Sequence, residues 1–446
     1  MHSLFYGINT GPELGDDRKM MKMEQYPLMD GINFRSIRDT RFKTLRIAVN
    51  FMLPIEKSTA AANALLPFLL SRASREYPDF TRLNERLSEL YGASLSADVR
   101  KLGEAQVLSI AASGLADRYA FEGESISAEL SQLLCSVLFD PPLVDGLFAE
   151  DGFEQERRQT IETIDSDFND KRTYARLRCE QLMCENEAFG INRYGSREDV
   201  LALRREELTT AWERVLKTAR VEIMALGDCD PVPIFERFQE KFKSIQRDPV
   251  AHIQTEIIKT AEEPREFTDT MSVAQSKLVL GFRAGAAVPG DAVASTKLMS
   301  AIFGGTPSSK LFLNVREKLS LCYYCASRYD WNKGILLVES GVETQNIEKA
   351  QKEILFQLDE IRNENITDEE IEAAKLSVGN NYRTLGDYLG GLENWYVSQS
   401  FCETIQTPEE AAEEINSVTK EQVVQAAQNV VLDTVYRLVG EEGDEK

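Results

Sequence analysis

"FGGTPSSKLFLNVREKLSLCYYCAS", residues 303–327, decides how the rest of the chain is read. Its first residues end a helix-like segment, "DAVASTKLMSAIFGG" (291–305), on two glycines. A second helix is expected over 308–321, with Ser308 as N-cap, because a short side-chain oxygen there satisfies a free backbone N–H. "CYYCASRYDWNKGILLVESGV" then reads as two strands joined by a turn at Asn332-Lys333-Gly334. The glycine-serine turn is no phosphate loop, since it lacks the G-x(4)-G-K-[ST] spacing. Ser308 has no histidine near it in sequence to act as a base, which argues against a serine nucleophile.

Cys322 and Cys325 form a C-x-x-C, a spacing found in redox dithiols and in half of some zinc sites. On a regular strand, residues three apart are separated by about 10 Å and face opposite sides. A disulfide needs Cα atoms within roughly 7 Å. No second cysteine pair completes a zinc site. The two cysteines therefore read as small apolar fillers, and a redox or metal role ranks behind the readings below.

The order of elements recurs upstream. "FKTLRIAVNFML" (42–53) reads as a strand, followed by helices over 59–76 and 80–92 and two strands joined around Leu102-Gly103. One long charged helix is expected over 153–183, then a helix and the strand "VEIMALG" (221–227). In the second half "QSKLVLGFRA" (275–284) is a strand, and "TKEQVVQAAQNVV" then "TVYRLVG" close the chain as helix and strand. Thr419 and Gln422 fit a capping box. A shift of 230 lays the strand at 45–53 on 275–283. The 446 residues are too many for one ordinary core. The expected fold is α+β, with two tandem, homologous αβ domains over 1–242 and 271–446 and a polar linker over 243–270.

The net charge is −22, which argues against nucleic acid or an anionic membrane as the main partner. No run approaches the roughly 18 apolar residues that span a bilayer, and the N-terminal stretch has no secretory character. Seven scattered cysteines then suggest reduced thiols and a cytoplasmic location. There are two histidines, His2 and His252, far apart in sequence. Chemistry that needs a nearby histidine pair is poorly supported.

The 303–327 block resembles the C-terminal-domain signature of the pitrilysin/insulinase superfamily of zinc peptidases: a glycine turn, S-x-L-F, then R-E-K-x-x-L-x-Y. "GINFRSIRDTRFKTLRIAVNFMLP" (31–54) is similar to that family's opening strands, and the final helix and strand match its close. The resemblance spans nearly the whole chain. It implies a half-clamshell of two domains, each a mostly antiparallel sheet flanked by helices. Similar bacterial members are associated with elongation factor P modification, a hint at pathway that no residue here carries.

Active members hold zinc with H-x-x-E-H on a helix and a glutamate about 75 residues later; the middle glutamate is the base for water. Here "NALLPFLL" (63–70) puts Asn63 and Pro67 at the histidine positions and Leu66 at the base. The late glutamate falls on Thr163, with Glu162 one residue off and so turned by about 100° on a helix. The resemblance therefore implies no zinc on this chain and no catalytic residue on it alone.

Short members often work as heterodimers in which a zinc-less subunit supplies an Arg and a Tyr to the partner's metal site. Arg316 and Tyr323 match that pair in type and in their spacing of seven. A tyrosine hydroxyl can donate to a developing oxyanion, and a guanidinium can hold a substrate carbonyl. The expected function is a silent subunit of a peptide-cleaving complex, with zinc in a homologous partner; the isolated chain could self-associate. The alternative is a scaffold or binding protein without chemistry. Glu154, Glu156, Glu162 and Asp165 read as a solvated helix face, Cys179 and Cys184 as packing residues. "YLGGLENWY" (388–396) leaves open a bend or a close approach at its paired glycines.

Overall fold

A computed structural model describes residues 23–121 and 123–440. His2, the N-terminal stretch read for a secretory signal, and the last six residues of the expected second domain lie outside them. Eleven strands among the described residues form two sheets. They are β1 (Met23–Met29), β2 (Ile32–Arg38), β3 (Thr44–Pro54), β4 (Ser94–Leu102), β5 (Ala105–Leu115) and β6 (Arg220–Gly227), then β7 (Arg265–Thr270), β8 (Ser276–Arg283), β9 (Cys322–Asp330), β10 (Ile335–Val342) and β11 (Val431–Val439).

The first sheet runs β1-β2-β6-β3-β5-β4 and the second β7-β11-β8-β10-β9. In each, one pair is parallel, β2 with β6 and β7 with β11, and every other pair is antiparallel. The two sheets thus share one strand order, with β1 added to the first. Central strands such as β3 are buried almost throughout: Leu45, Ile47, Val49, Phe51 and Leu53 fill one face, and on the other Arg46 and Asn50 both donate to Glu393. Residues 265–270, expected as linker, form β7 of the second sheet.

The expected helix over 153–183 is two helices, Glu150–Asn169 and Lys171–Met183. Asp170 breaks it: its carboxylate accepts from the Arg172 backbone N–H at 3.1 Å and from the Thr173 hydroxyl at 2.7 Å, capping the second helix. That break redirects the chain. Ala175, Cys179 and Met183 pack on Val279, Leu337, Tyr436 and Leu438 of the second sheet. In return, the helix Leu389–Ser398 lays Leu392, Trp395 and Tyr396 on Met52, Met224 and Leu226 of the first sheet. A sheet has two faces to cover, and here each half lends a helix to the other. The paired glycines prove to be a close approach: they lie in the first turn of Leu389–Ser398, and a Cβ on Gly391 would meet the Tyr388 ring at 2.4 Å.

A buried ionic cluster ties the halves together where two hairpin turns meet. Lys333, in the β9–β10 turn, is fully buried. Its ammonium lies 2.5 Å from Glu104 in the β4–β5 turn and 2.6 Å from Glu187. Glu187 also takes a two-pronged contact from Arg283, which reaches Asp433 at 2.8 Å. Burial pushes the Glu187 carboxyl up, but the hydrogen bonds from Arg283 and Lys333 outweigh it and hold the carboxyl below its ordinary value. No helix among the described residues is long and apolar enough to cross a membrane.

Candidate functional site

The signature block folds as a helix that widens twice. Val293–Ser300 is α-helical, Ala301–Gly305 opens into a π turn, and Leu311–Lys318 is π-helical. Ser308 does not cap it. Ser309 accepts from the Phe312 N–H at 3.4 Å, while Ser308 sits in the turn before it, beside the Thr306 hydroxyl. Gly304 explains the glycine turn. A Cβ there would meet the Ser327 backbone nitrogen at 2.6 Å, whereas the nearest atom at Gly305 is 3.3 Å away. Gly304→Ala is therefore expected to cost about 1–3 kcal/mol and Gly305→Ala well under 1; urea unfolding of the two variants checks this.

Arg316 lies late in the π-helical segment, its guanidinium 4.6 Å from the Phe312 ring centre and 3.6 Å from Glu317. Ser320 then takes a left-handed backbone (φ 50°) that turns the chain into β9. Tyr323 is 64% exposed, so it is no core aromatic. It carries the extra residue of a β-bulge. Cys322 pairs with Val342 and Tyr324 with Gly341, which leaves Tyr323 without an opposite number. The Arg316 charge reaches Cys322, the residue beside Tyr323, and helps to lower that thiol's pKa. Arg316 and Tyr323 thus flank the turn at Ser320 that leads from the π-helical segment into the second sheet's edge strand.

The bulge also overturns the opposite-faces expectation for Cys322 and Cys325. Both are buried in the same core cluster. An inserted residue restores the alternation that a spacing of three would break.

Where the zinc positions were expected, the helix Lys57–Leu70 runs through Pro67. The Ser71 hydroxyl and N–H both donate to the Pro67 carbonyl, tying off the end. Asn63 is buried, and its amide donates to Gln106 at 3.0 Å. Arg214 donates to the Asn63 carbonyl oxygen at 2.5 Å. Gln106 in turn donates to the carbonyls of Ala60 and Arg193. A guanidinium thus sits against the position of the first histidine. Leu66 is buried in the apolar core, and with Pro67 it borders a small apolar gap beside Leu138 and Trp212. Thr163 is exposed and donates to its own helix, at Gln159. It takes no part in the Asn63 network. Among the described residues no three His, Cys, Asp or Glu side chains form a group that could hold a metal ion.

Sequence reasoning missed Gln106 and Arg214. The one local signal was a glutamine inside the apolar strand "AQVLSIAASGL". Glu156 was misplaced on the solvated face. It is buried and pairs with Arg72 at 2.7 Å, while Glu154, Glu162 and Asp165 meet Arg157, Arg158 and Arg197 nearer the surface.

The local chemistry predicts that Asn63→His, Leu66→Glu and Pro67→His together leave the chain without stoichiometric zinc. Arg214 would still place a positive charge beside the first ligand, and Thr163 would still lack a carboxylate. Metal analysis after dialysis against zinc checks this; one bound zinc per chain would contradict it.

These features define a two-domain α+β protein of zinc-peptidase architecture in which the residues expected at the metal-ligand positions are an amide, a proline and a hydroxyl, Asn63, Pro67 and Thr163. Residues 202–378 match the family model described as the Peptidase M16 inactive domain. The chain is 30% identical over 413 residues to a Bacillus subtilis protein called probable inactive metalloprotease YmfF, covering 93% of this chain and 97% of that one. A solved structure from Enterococcus faecalis is 28% identical, covers 95% of this chain and all of that one, and superposes with a TM-score of 0.86. The peptidase M16 inactive domain structure from Pseudomonas fluorescens shares the fold, with a TM-score of 0.75 at 15% identity, covering 96% of this chain and 99% of that one. The chain belongs to the M16 family, the pitrilysin/insulinase group of peptidases, and is a non-catalytic member of it.

Proposed function

We propose that this chain is the silent subunit of a heterodimeric peptidase. A homologous partner holds the zinc, and this chain closes the chamber and presents Arg316 and Tyr323 to the bound peptide. The chain itself holds no metal. In this reading Tyr323 donates a hydrogen bond to the oxyanion that forms at the scissile carbonyl, and Arg316 grips a substrate carbonyl. The observation that carries the reading is the exposure of Tyr323 on a bulged edge strand, with Arg316 on the helix that leads into it. A large aromatic of this kind is usually buried when its role is packing, and bulges commonly re-aim side chains near active sites.

Co-expression with genomic neighbours tests it. A neighbour bearing H-x-x-E-H should co-purify at one copy per chain, with zinc at one ion per heterodimer. If the chain purifies free of any such protein, the heterodimer reading fails. A scaffold without chemistry would bind its partner equally well with or without Arg316, which separates the two readings.

A further inference from the structure

We propose that Cys322 and Cys325 form a reversible dithiol–disulfide site. The geometry comes from the bulge. Cys322 stands opposite Val342 and Cys325 opposite Ser340, so three steps along β9 span two steps along β10. Two steps of strand measure about 6.6 Å. That falls inside the Cα separation of about 4.4–6.8 Å that a disulfide accepts. Both side chains enter the same cluster, and each thiol shifts the other's pKa, Cys322 downward and Cys325 upward.

Their chemistry is unequal. The hydrogen bond from Cys325, with help from Ser340 and the Arg316 charge and against burial, pushes the Cys322 thiol down to about 7. The same hydrogen bond, together with burial, pushes Cys325 up. Cys322 is thus the more readily ionised thiol and Cys325 the less. The other buried cysteines contrast sharply: burial pushes Cys135, Cys184 and Cys229 up to about 12. They are chemically silent by comparison.

The co-reactant is a low-molecular-weight disulfide. The Cys322 thiolate attacks one of its sulfurs, the reagent's S–S bond breaks, and one small thiolate leaves, which is protonated by water. A mixed disulfide remains on Cys322. Cys325 gives up its proton to solvent and attacks the Cys322 sulfur, expelling the second small thiolate. The protein pair is oxidised by two electrons, and the small disulfide is reduced to two thiols. This proposal needs this chain alone and does not rest on the subunit reading.

The test uses the full chain and oxidised glutathione at neutral pH, followed by native alkylation and peptide mapping by mass spectrometry. The peptide containing both cysteines should lose two hydrogens and regain them with dithiothreitol, while Cys135, Cys184 and Cys229 stay reduced. Cys325→Ser should trap one glutathione on Cys322, and Cys322→Ser should leave Cys325 unmodified. Two free thiols in the oxidised wild-type chain overturn the proposal. So does a disulfide from either cysteine to Cys402. The wild-type result alone decides it, should a variant fail to fold.

Discussion

Replacing Lys333 with methionine is expected to destabilise the chain by about 3–5 kcal/mol, the cost of breaking a buried ion pair from one side. Lys333 is fully buried and touches two carboxylates of the first half, Glu104 and Glu187, the second of them also held by Arg283 of the second half. Its ammonium also donates to the Glu256 carbonyl at 2.5 Å, fixing the segment between the halves. The Glu104 carboxylate would remain against that segment, where it accepts from the Glu256 N–H, without its counter-charge. Methionine fills much of the same volume, so the loss reflects charge rather than a cavity. Adding Glu104→Gln should recover part of it, because a neutral amide costs less to bury unpaired than a carboxylate. Urea unfolding of the two variants measures both effects. A change under 0.5 kcal/mol in Lys333→Met would mean the cluster does not hold the halves together.

The cluster also sets an acid limit. The folded Glu187 carboxyl lies below its ordinary value of 4.5. A depressed carboxylate adds stability above its unfolded pKa and loses it as pH falls through the folded one. Wild-type Tm should therefore fall as pH drops below about 4.5. The slope should be shallower in Lys333→Met, which removes one of the two groups that hold Glu187 down.

Within the proposed complex, Tyr323→Phe is expected to lower kcat by about 10²–10³, the usual effect of removing one oxyanion donor, with little change in KM. Phenylalanine keeps the ring and removes the hydroxyl. Tyr323 is 64% exposed, so its substitution should leave stability within about 0.5 kcal/mol. Arg316→Ala should instead raise KM as well as lower kcat, because a guanidinium that grips the substrate acts before the transition state and in it. Arg316→Lys should rescue little, since an ammonium lacks the planar fork. Equal kcat in wild type and Tyr323→Phe would remove the tyrosine from the proposal.

The succession of strands along most of the chain was legible because period-two patterns are local, and its repeat matches the shared topology of the two sheets; β7 was read as linker. The helix exchange was not legible. Nothing in "KRTYARLRCEQLM" says that its apolar side faces the other half's sheet. The break at Asp170 could have been seen, since Asp followed by Lys-Arg-Thr is a fair N-cap, but the surrounding charge pattern runs on unbroken. Glu156 shows the limit of charge counting: one carboxylate of four turned inward because Arg72 met it there. The cysteines show the limit of spacing. An inserted Tyr323 changes which face each sulfur takes, and only the pairing with β10 reveals the insertion. At the expected zinc positions, Asn63, Leu66 and Pro67 were read as losses from the resemblance. That Arg214 stands against Asn63 came from a helix about 150 residues away.

In the proposed heterodimer this non-catalytic chain completes a zinc-bearing partner. The most direct measurement is the peptide-cleavage rate of that partner alone, with this chain, and with its Arg316→Ala variant. Cleavage is expected with the wild-type chain, and little with the partner alone. The Arg316→Ala complex should assemble normally and cleave at least about 10² times more slowly. Cleavage by the partner alone at the full rate, or by the Arg316→Ala complex at the wild-type rate, would contradict it.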